Sequence, residues 1–136
     1  MRRENALCQD TCVKETDVVD RIIDQFPADR QSQIRVMLSE SLKGVIAQTL
    51  CRKVGGGRIA ALEVLIVNTA ISNLIREGKT FQIPSMMQVG KALGMQTLND
   101  ALYQLYVTRQ VTVDECLRVS GDPNEFLRMT GQSPQA

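Results

Sequence analysis

Three consecutive glycines followed by an arginine, in the stretch KVGGGRIA at residues 53–60, are the strongest candidate for phosphate chemistry in the sequence. A Walker A loop, G-x-x-x-x-G-K-[ST], holds phosphates with its lysine, places a hydroxyl on Mg²⁺ and leads into a helix. Here Arg58 follows the glycines, and the apolar run after it is typical of a strand. Glycines adopt positive φ at little energetic cost, which suits a turn between antiparallel strands. The stretch therefore predicts a β-hairpin loop that does not hold phosphate.

Four cysteines and the complete absence of histidine limit the other chemistry. Cys8 and Cys12 are four residues apart and can share one face of a helix, but two thiolates leave a tetrahedral zinc site incomplete. Cys51 and Cys116 have no neighbouring cysteine in the sequence. We therefore predict that the cysteines are reduced thiols that neither pair with one another nor bind a metal. Without histidine, Ser-His-Asp and Cys-His catalysis are excluded within this sequence.

The composition is that of an ordinary globular domain. The chain has 136 residues, of which 43% are hydrophobic and 23% charged, and a net charge of +1. This balance lacks the clustered basic charge that nucleic-acid binding requires. No apolar run approaches the roughly 18 residues of a membrane span, and no apolar segment follows the charged start as in a signal peptide. We predict a cytoplasmic protein without a transmembrane segment.

Apolar periodicity predicts two helices followed by a hairpin. The first helix contains the stretch DVVDRIIDQF, whose inner stripe comprises Val18, Val19, Ile22, Ile23 and Phe26. Pro27 ends that helix and opens the second, whose inner face comprises Ile34, Met37, Leu38 and Leu42. The runs GVIAQTLC and IAALEVLIV are strongly apolar and of strand length. Glu63, alone among the apolar residues of the second strand, is expected at an exposed edge.

Capping signals predict helices from there to the end. Thr69 is expected to cap the helix AISNLIRE, which ends before Gly78 and buries Ile71, Leu74 and Ile75. Pro84 is expected in the first turn of a methionine-rich helix ending at Gly94. The remaining predicted signals are the capping boxes Thr97/Asp100 and Thr112/Glu115 and a helix start at Pro123.

From about Val13 to Met129 the sequence resembles the C-terminal part of the type IV pilus retraction ATPases, the twitching-motility PilT family. The resemblance rests on stretches in the family's order, among them VDRIIDQFPADRQSQIRVMLSESLKGVIAQTL, KVGGGRIAALEVLIV and IPSMMQVGKALGMQTLNDAL. AISNLIRE is similar to the retraction signature Ala-Ile-Arg-Asn-Leu-Ile-Arg-Glu at seven of eight positions. Ser72 stands where the family has its first arginine.

The resemblance implies a RecA-like ATPase that forms a hexameric ring beneath the inner membrane at the pilus base. Such a motor hydrolyses ATP with Mg²⁺ and pulls the pilus back, acting on the inner-membrane platform protein. The family's Walker A, Walker B and histidine motifs would all precede residue 13, and none is in this chain. We therefore expect this chain alone to bind no ATP tightly and to be inactive.

The implied fold is α/β and mostly helical: the antiparallel hairpin of a RecA-like core, then a helical subdomain. Residues 13–67 are expected to end the ATPase core, residues 68–130 to form the helical subdomain and residues 131–136 to be a disordered tail. Residues 1–12 match nothing in the family. That segment suggests a truncated or frameshifted reading frame with an unrelated start, or a remodelled short homologue.

The site that the resemblance implies is the retraction motif on one helix. Its polar surface is expected to couple ATP turnover to ring motion, or else to be only a solvated rim. Arg58 is equally compatible with a subunit interface and with free solvent. The motif comprises Ala70, Ile71, Ser72, Asn73, Leu74, Ile75, Arg76 and Glu77.

Two other functions compete with the motor fragment. One is a free-standing helical module that binds and modulates intact motor subunits. The other is a small DNA-binding regulator, because MMQVGKALGMQTLNDALYQL has a helix-turn-helix appearance, although the balanced charge opposes it.

An unpaired strand edge also predicts self-association through apolar hairpin residues, namely Val45, Ile46, Leu62, Val64 and Ile66.

Overall fold

A computed structural model describes residues 15–132 of the chain. Within that range the chain forms helix α1 (Glu15–Asp24), helix α2 (Gln31–Ser41), strand β1 (Gly44–Arg52) and strand β2 (Arg58–Ile66). Five further helices follow: α3 (Thr69–Arg76), α4 (Ile83–Val89), α5 (Leu98–Val107), α6 (Val113–Val119) and α7 (Pro123–Met129). Short 3₁₀ turns at Thr80–Gln82 and Gly90–Leu93 flank α4. The predictions for residues 1–12, including Cys8 and Cys12, and for residues 133–136 of the tail lie outside the described residues.

The two strands form the predicted antiparallel hairpin. Their register pairs Gly44 with Ile66 at one end and Arg52 with Arg58 at the other. The three glycines of the loop all have positive φ, at 86°, 109° and 79°. Because side chains alternate between the two faces of a strand, one face packs on helices and the other faces outward.

Two apolar clusters hold the helices against the inner face of the hairpin. The first joins α1, α3 and α4 to Leu65 of β2, and the second joins α5, α6 and α7 to Cys51 and Ala61 near the loop. Phe126 of α7 is fully buried in the second cluster, where its ring meets Tyr106 edge-on with centroids 6.2 Å apart. Both clusters combine residues from before and after residue 67, so the hairpin and the helices share their cores.

Most of the predicted helix signals are confirmed. Thr97 and Asp100 form a reciprocal capping box at the start of α5. Gly78 and Gly94 follow their helical segments with φ of 72° and 93°. Prolines stand in the first turns of α4 and α7 as expected. The methionine-rich helix is shorter than predicted, because its last residues tighten into the 3₁₀ turn Gly90–Leu93.

Two predictions about helix starts are wrong. Asn68, not Thr69, caps α3, since its side chain accepts a hydrogen bond from the backbone N–H of Ile71 at 3.0 Å. Pro27 does not open α2; a turn follows it and the helix begins at Gln31. In both places the neighbouring residues offer alternative starts, and local sequence does not choose between them.

Several predictions of which side chains are buried or exposed are also wrong. Phe26 and Met37 are 40% and 57% exposed, because α1 ends before Phe26 and α2 presents Met37 to solvent. Of the hairpin residues predicted to be exposed, Val45 and Val64 are half-buried, whereas Ile46 is 71% exposed as expected. Glu63 does not stand free at an edge: it is half-buried and accepts a hydrogen bond from the N–H of Leu98 at 3.3 Å.

Among the described residues, no helix has both the length and the apolar character needed to span a membrane.

Candidate functional site

Helix α3 carries the eight-residue motif and is fixed at both ends. Asn68 caps its start through the hydrogen bond to Ile71. At its other end Gly78 takes a positive φ of 72°, and the N–H of Lys79 donates to the carbonyl of Leu74. An amide cap and a left-handed glycine both satisfy backbone groups that a short helix leaves without partners. The motif therefore lies on one short helix with a defined start and a defined end.

The inner face of α3 belongs to the first apolar cluster. Ile71 and Ile75 are fully buried, and Leu74 packs against the cluster while remaining partly exposed. Ala70 is half-buried beside them. The predicted buried stripe is thus confirmed for the two isoleucines, and Leu74 lies at its border.

The outer face of α3 is polar and open to solvent. Asn73, Arg76 and Glu77 are all exposed, as predicted from helical spacing. Arg76 lies 3.9 Å from Glu40 of α2, with side chains 44% and 68% exposed, and Glu77 pairs with Lys79 at 3.0 Å. Exposed pairs of this kind add little stability, so these side chains are not required to hold the helix in place.

Ser72 lies on the side of α3 that faces α2. Its hydroxyl donates a 2.7 Å hydrogen bond to the backbone carbonyl of Ser39, and Ser39 is buried. A small side chain at this position allows the two helices to approach closely. An arginine at this position cannot occupy the same space and must turn outward or separate the helices.

Arg35 of α2 lies beneath the end of α3, where sequence reasoning did not place a functional residue. Its Nη1 atom is buried without a hydrogen-bond partner among the described residues. The guanidinium lies close to Gly78, such that a Cβ added there would be 3.5 Å from Nε of Arg35. A cation at this place is favoured by the negative C-terminal end of the α3 dipole. In the sequence, this position could have been noticed only because a charged residue, Arg35, lies between apolar residues of α2.

The glycine loop does not fit a nucleotide phosphate. It joins two antiparallel strands and leads into no helix, and the N–H of Gly56 already donates to the carbonyl of Lys53 at 3.1 Å. Phosphate loops instead present several free N–H groups at a helix start. Arg58 is exposed next to Arg52. Its role at a subunit interface stays a prediction.

Glu115 forms a polar connection between α6 and the hairpin that the sequence did not reveal. Thr112 caps α6 as predicted, but the carboxylate of Glu115 does not return the bond to Thr112. It accepts from the backbone N–H of Arg52 at 2.9 Å and from Nε of Arg118 at 2.9 Å. The hydrogen bond from Arg118, followed by that from Arg52, lowers the pKa of Glu115 from 4.5 to about 2.

We expect Glu115→Gln to lower the free energy of unfolding by roughly 1–3 kcal/mol at neutral pH, because it removes a charged acceptor. Since the folded pKa lies below the ordinary value, the carboxylate stabilises the fold above about pH 4.5, and this contribution is lost as the pH falls toward 2. Urea titrations at several pH values measure both effects.

The control for this experiment is Glu40→Gln, whose side chain is 68% exposed. We expect that variant to match the parent chain across the pH series. A Glu115→Gln deficit that stays constant between pH 5 and about pH 2 contradicts the assigned connection.

The two described cysteines do not form a reactive centre. Cys51 and Cys116 are fully buried and free. Burial raises the pKa of Cys51 and raises that of Cys116 to about 11, so both remain protonated and poorly nucleophilic. Residues 15–132 also contain no group of three or more acidic, cysteine or histidine side chains placed to hold a metal ion.

The chain is similar in sequence to known proteins of type IV pili. No protein-family model matches it. The type IV pilus retraction ATPase PilT of Pseudomonas aeruginosa is 45% identical over 108 residues, which are 79% of this chain and 31% of that protein. A twitching motility protein of Neisseria gonorrhoeae is 52% identical over 88 residues, 64% of this chain and 24% of that protein. The chain thus spans a third or less of the length of these relatives.

Solved structures agree with the sequence comparison. A crystal structure of the pilus retraction motor PilT with bound ADP superimposes with a TM-score of 0.73 at 46% identity, covering 84% of this chain and 32% of that one. The ATPase DotB of Legionella pneumophila gives a TM-score of 0.64 at 14% identity, covering 79% of this chain and 29% of that one, which shows a shared fold alone. The expected fold class, a mostly helical C-terminal part of such an ATPase, is confirmed.

Proposed function

Because the chain belongs to the type IV pilus retraction ATPase family, whose C-terminal part it matches, we propose that it acts as the C-terminal part of a pilus retraction motor. In that role it transmits movement, while the nucleotide is held by the parts of the family that this chain does not match. The motor works as a hexameric ring at the cytoplasmic side of the inner membrane, against the platform protein of the pilus. Residues 13–67 complete its ATPase core and residues 68–130 form its helical subdomain.

The observation that carries the proposal is the way α3 presents its motif. Seven of eight signature residues are present, the two isoleucines anchor the helix in the core, and the polar residues face outward. Within residues 15–132, the ion pairs of Arg76 with Glu40 and of Glu77 with Lys79 are exposed and add little stability. We assign this polar surface of α3 to the coupling of ATP turnover to ring motion.

Nucleotide chemistry is assigned elsewhere for physical reasons. Phosphoryl transfer depends on positioned cations and Mg²⁺, which glycine backbone alone does not supply. The relative that binds ADP has about three times the length covered by this chain, so its nucleotide site has ample sequence outside the matched part. ATP and Mg²⁺ are therefore cofactors of the whole motor in this proposal.

A second function, binding to intact motor subunits as a separate module, is favoured by one observation. The outer face of the hairpin exposes Ile46, Leu50 and Leu62 at 71%, 48% and 39%. Apolar surface of that kind serves association with another protein. If the chain is a separate module, adding it to a purified intact motor changes the ATPase rate of that motor. The first proposal instead requires the chain to be covalently joined to the rest of the ATPase.

The test is a chimera in which residues 15–132 replace the matching part of a full-length retraction ATPase. We expect the chimera to hydrolyse ATP and to restore twitching in a strain that lacks the motor. The chain alone is the control, and we expect it to release no phosphate above a protein-free blank. A folded chimera that turns over ATP but leaves pili extended contradicts the proposal, as does Mg²⁺-dependent phosphate release by the chain alone.

A further inference from the structure

Two arginines stand opposite each other at the loop end of the hairpin. The register pairs Arg52 with Arg58 as the last pair before the glycine loop. Residues that are directly opposite on antiparallel strands point to the same face, with Cβ atoms about 5 Å apart. Both side chains are exposed, and neither forms a salt bridge within residues 15–132. Like charges in this arrangement destabilise a sheet, so the pair is unfavourable for the chain on its own.

Two further cations belong to the same end of the molecule. Lys53 directly follows the arginine of β1 and is exposed. The N–H of Val54 donates to the carbonyl of Gln110 at 2.8 Å, which brings the turn after α5 against the hairpin loop. Arg109 lies in that turn and is also exposed. We call the four basic residues at this end, Arg52, Lys53, Arg58 and Arg109, the tip surface.

Arg109 is held in a strained backbone conformation. Its φ is 59°, and every other residue with positive φ in the described part of the chain is a glycine. A side chain makes this conformation costly, whereas glycine adopts it easily, so the turn itself does not require an arginine. Backbone strain of this kind is often found at functional sites, and here it maintains a cation beside the hairpin loop.

Neighbouring acidic groups do not neutralise the tip surface. The carboxylate of Glu115 accepts from the backbone N–H of Arg52, but it is already held by the guanidinium of Arg118. Asp114 is exposed on α6 and forms no salt bridge with the described basic residues. The sign of this charge does not depend on what lies against it. A polypeptide that covers these cations without supplying acidic groups leaves buried charges unpaired, which is strongly unfavourable.

We infer that the tip surface is a contact site for an acidic polypeptide segment. Arg52 and Arg58 present two guanidinium groups side by side, and each can bind a carboxylate through two parallel hydrogen bonds. A carboxylate bound between them replaces their repulsion with two attractions. Lys53 and Arg109 extend the positive charge, so that further acidic residues of the same segment are matched. This inference concerns the 136-residue chain and does not depend on the proposed motor function.

Two other kinds of polyanion fit the tip surface less well. Sites for single-stranded nucleic acid combine basic residues with aromatic side chains on which bases stack, and residues 52–58 contain no aromatic residue. Basic segments that bind anionic lipid usually have about four to eight lysines or arginines in one cluster. The tip surface has only four, and they are fixed on two separate turns. Fixed pairs of arginines favour the planar carboxylate groups of a peptide.

Fluorescence anisotropy with a labelled oligoglutamate peptide tests the inference on the whole chain. We expect saturable binding that weakens with added salt, because exposed charges are screened. Arg58→Ala and Lys53→Ala each remove one tip charge, and we expect each to raise the dissociation constant about threefold or more. Lys43→Ala is the matched control, because this exposed lysine precedes β1 at the opposite end of the hairpin, roughly 30 Å away. We expect it to bind like the parent chain.

Thermal unfolding provides a second readout that does not rely on affinity. Without peptide, we expect Arg58→Gln to melt at or slightly above the temperature of the parent, because the opposing charge is gone. With peptide, the melting temperature of the parent should rise more than that of the variant. Absence of peptide binding, or an equal loss of affinity in Lys43→Ala, overturns the inference. Binding of phosphatidylglycerol vesicles or duplex DNA through the tip residues, without binding of the peptide, also overturns it.

Discussion

Replacing Ile75 with alanine is expected to lower the free energy of unfolding by about 2–5 kcal/mol. The side chain is fully buried in the first apolar cluster, which joins α3 to α1, α4 and β2. Truncation removes apolar contacts and leaves a cavity that rigid neighbours fill only in part. Because this cluster also anchors the hairpin through Leu65, the loss affects the whole chain rather than one helix. Urea unfolding followed by circular dichroism measures it.

Val89→Ala provides the control, since Val89 is 78% exposed on α4. We expect that variant to stay within about 0.5 kcal/mol of the parent chain. Leu74→Ala should fall between the two, because Leu74 packs against the cluster but is not enclosed. If Ile75→Ala unfolds no more easily than Val89→Ala, the assignment of α3 as a core helix is wrong.

The sequence contained enough information to predict the local elements. Two apolar, β-branched runs of strand length on either side of three glycines predicted the hairpin, because only glycine accepts three successive positive φ values at little energetic cost. Thr97 and Asp100 identified the start of α5, since the capping box requires that spacing. The 3.6-residue period likewise identified the buried isoleucines of α3.

Long-range contacts were not predictable in this way. Glu115 and Arg52 are separated by 63 positions, and nothing near either residue indicates the other. Ser72 meets Ser39 only because α2 and α3 pack side by side. The buried Nη1 of Arg35 depends on the same packing. Pairwise helix placement decides each of these contacts, and a periodic pattern determines only which face of a helix turns inward.

The cap of α3 illustrates a smaller limit. Asn68 and Thr69 are adjacent and both belong to the residue types that cap helices. The structure selects Asn68, whose backbone has the extended conformation of a capping residue. Shifting the helix start by one residue does not change which residues are buried, so the prediction of which motif residues are exposed remains correct.

The largest functional effect is expected at Arg76. In the chimera of residues 15–132 with a retraction ATPase, we expect Arg76→Ala to abolish most twitching while protein level and melting temperature stay near those of the parent. The structural basis is that Arg76 is exposed and its contact with Glu40, at 3.9 Å, adds little stability. Twitching, ATPase rate and thermal unfolding are measured on the same variants.

Glu40→Ala is the matched control, because it removes the internal partner of Arg76 and leaves the arginine in place. If Arg76 acts by contacting another subunit, Glu40→Ala retracts pili normally. If the Arg76–Glu40 pair only holds α2 against α3, both variants lose stability and motility together. The two outcomes distinguish a coupling contact from an ion pair that only holds the two helices together.

Ser72 extends this test to the position where the chain departs from the family signature. Its hydroxyl binds the carbonyl of Ser39, so an arginine must leave this contact and extend toward the exposed side shared with Arg76. We expect a full-length relative that carries arginine there to retract less well when that residue becomes serine, with unchanged stability. In the chimera, Ser72→Arg should conversely raise twitching above the parent. Normal retraction by Arg76→Ala, or failure accompanied by a lower melting temperature, removes the coupling role from α3 and leaves its polar face as a solvated surface.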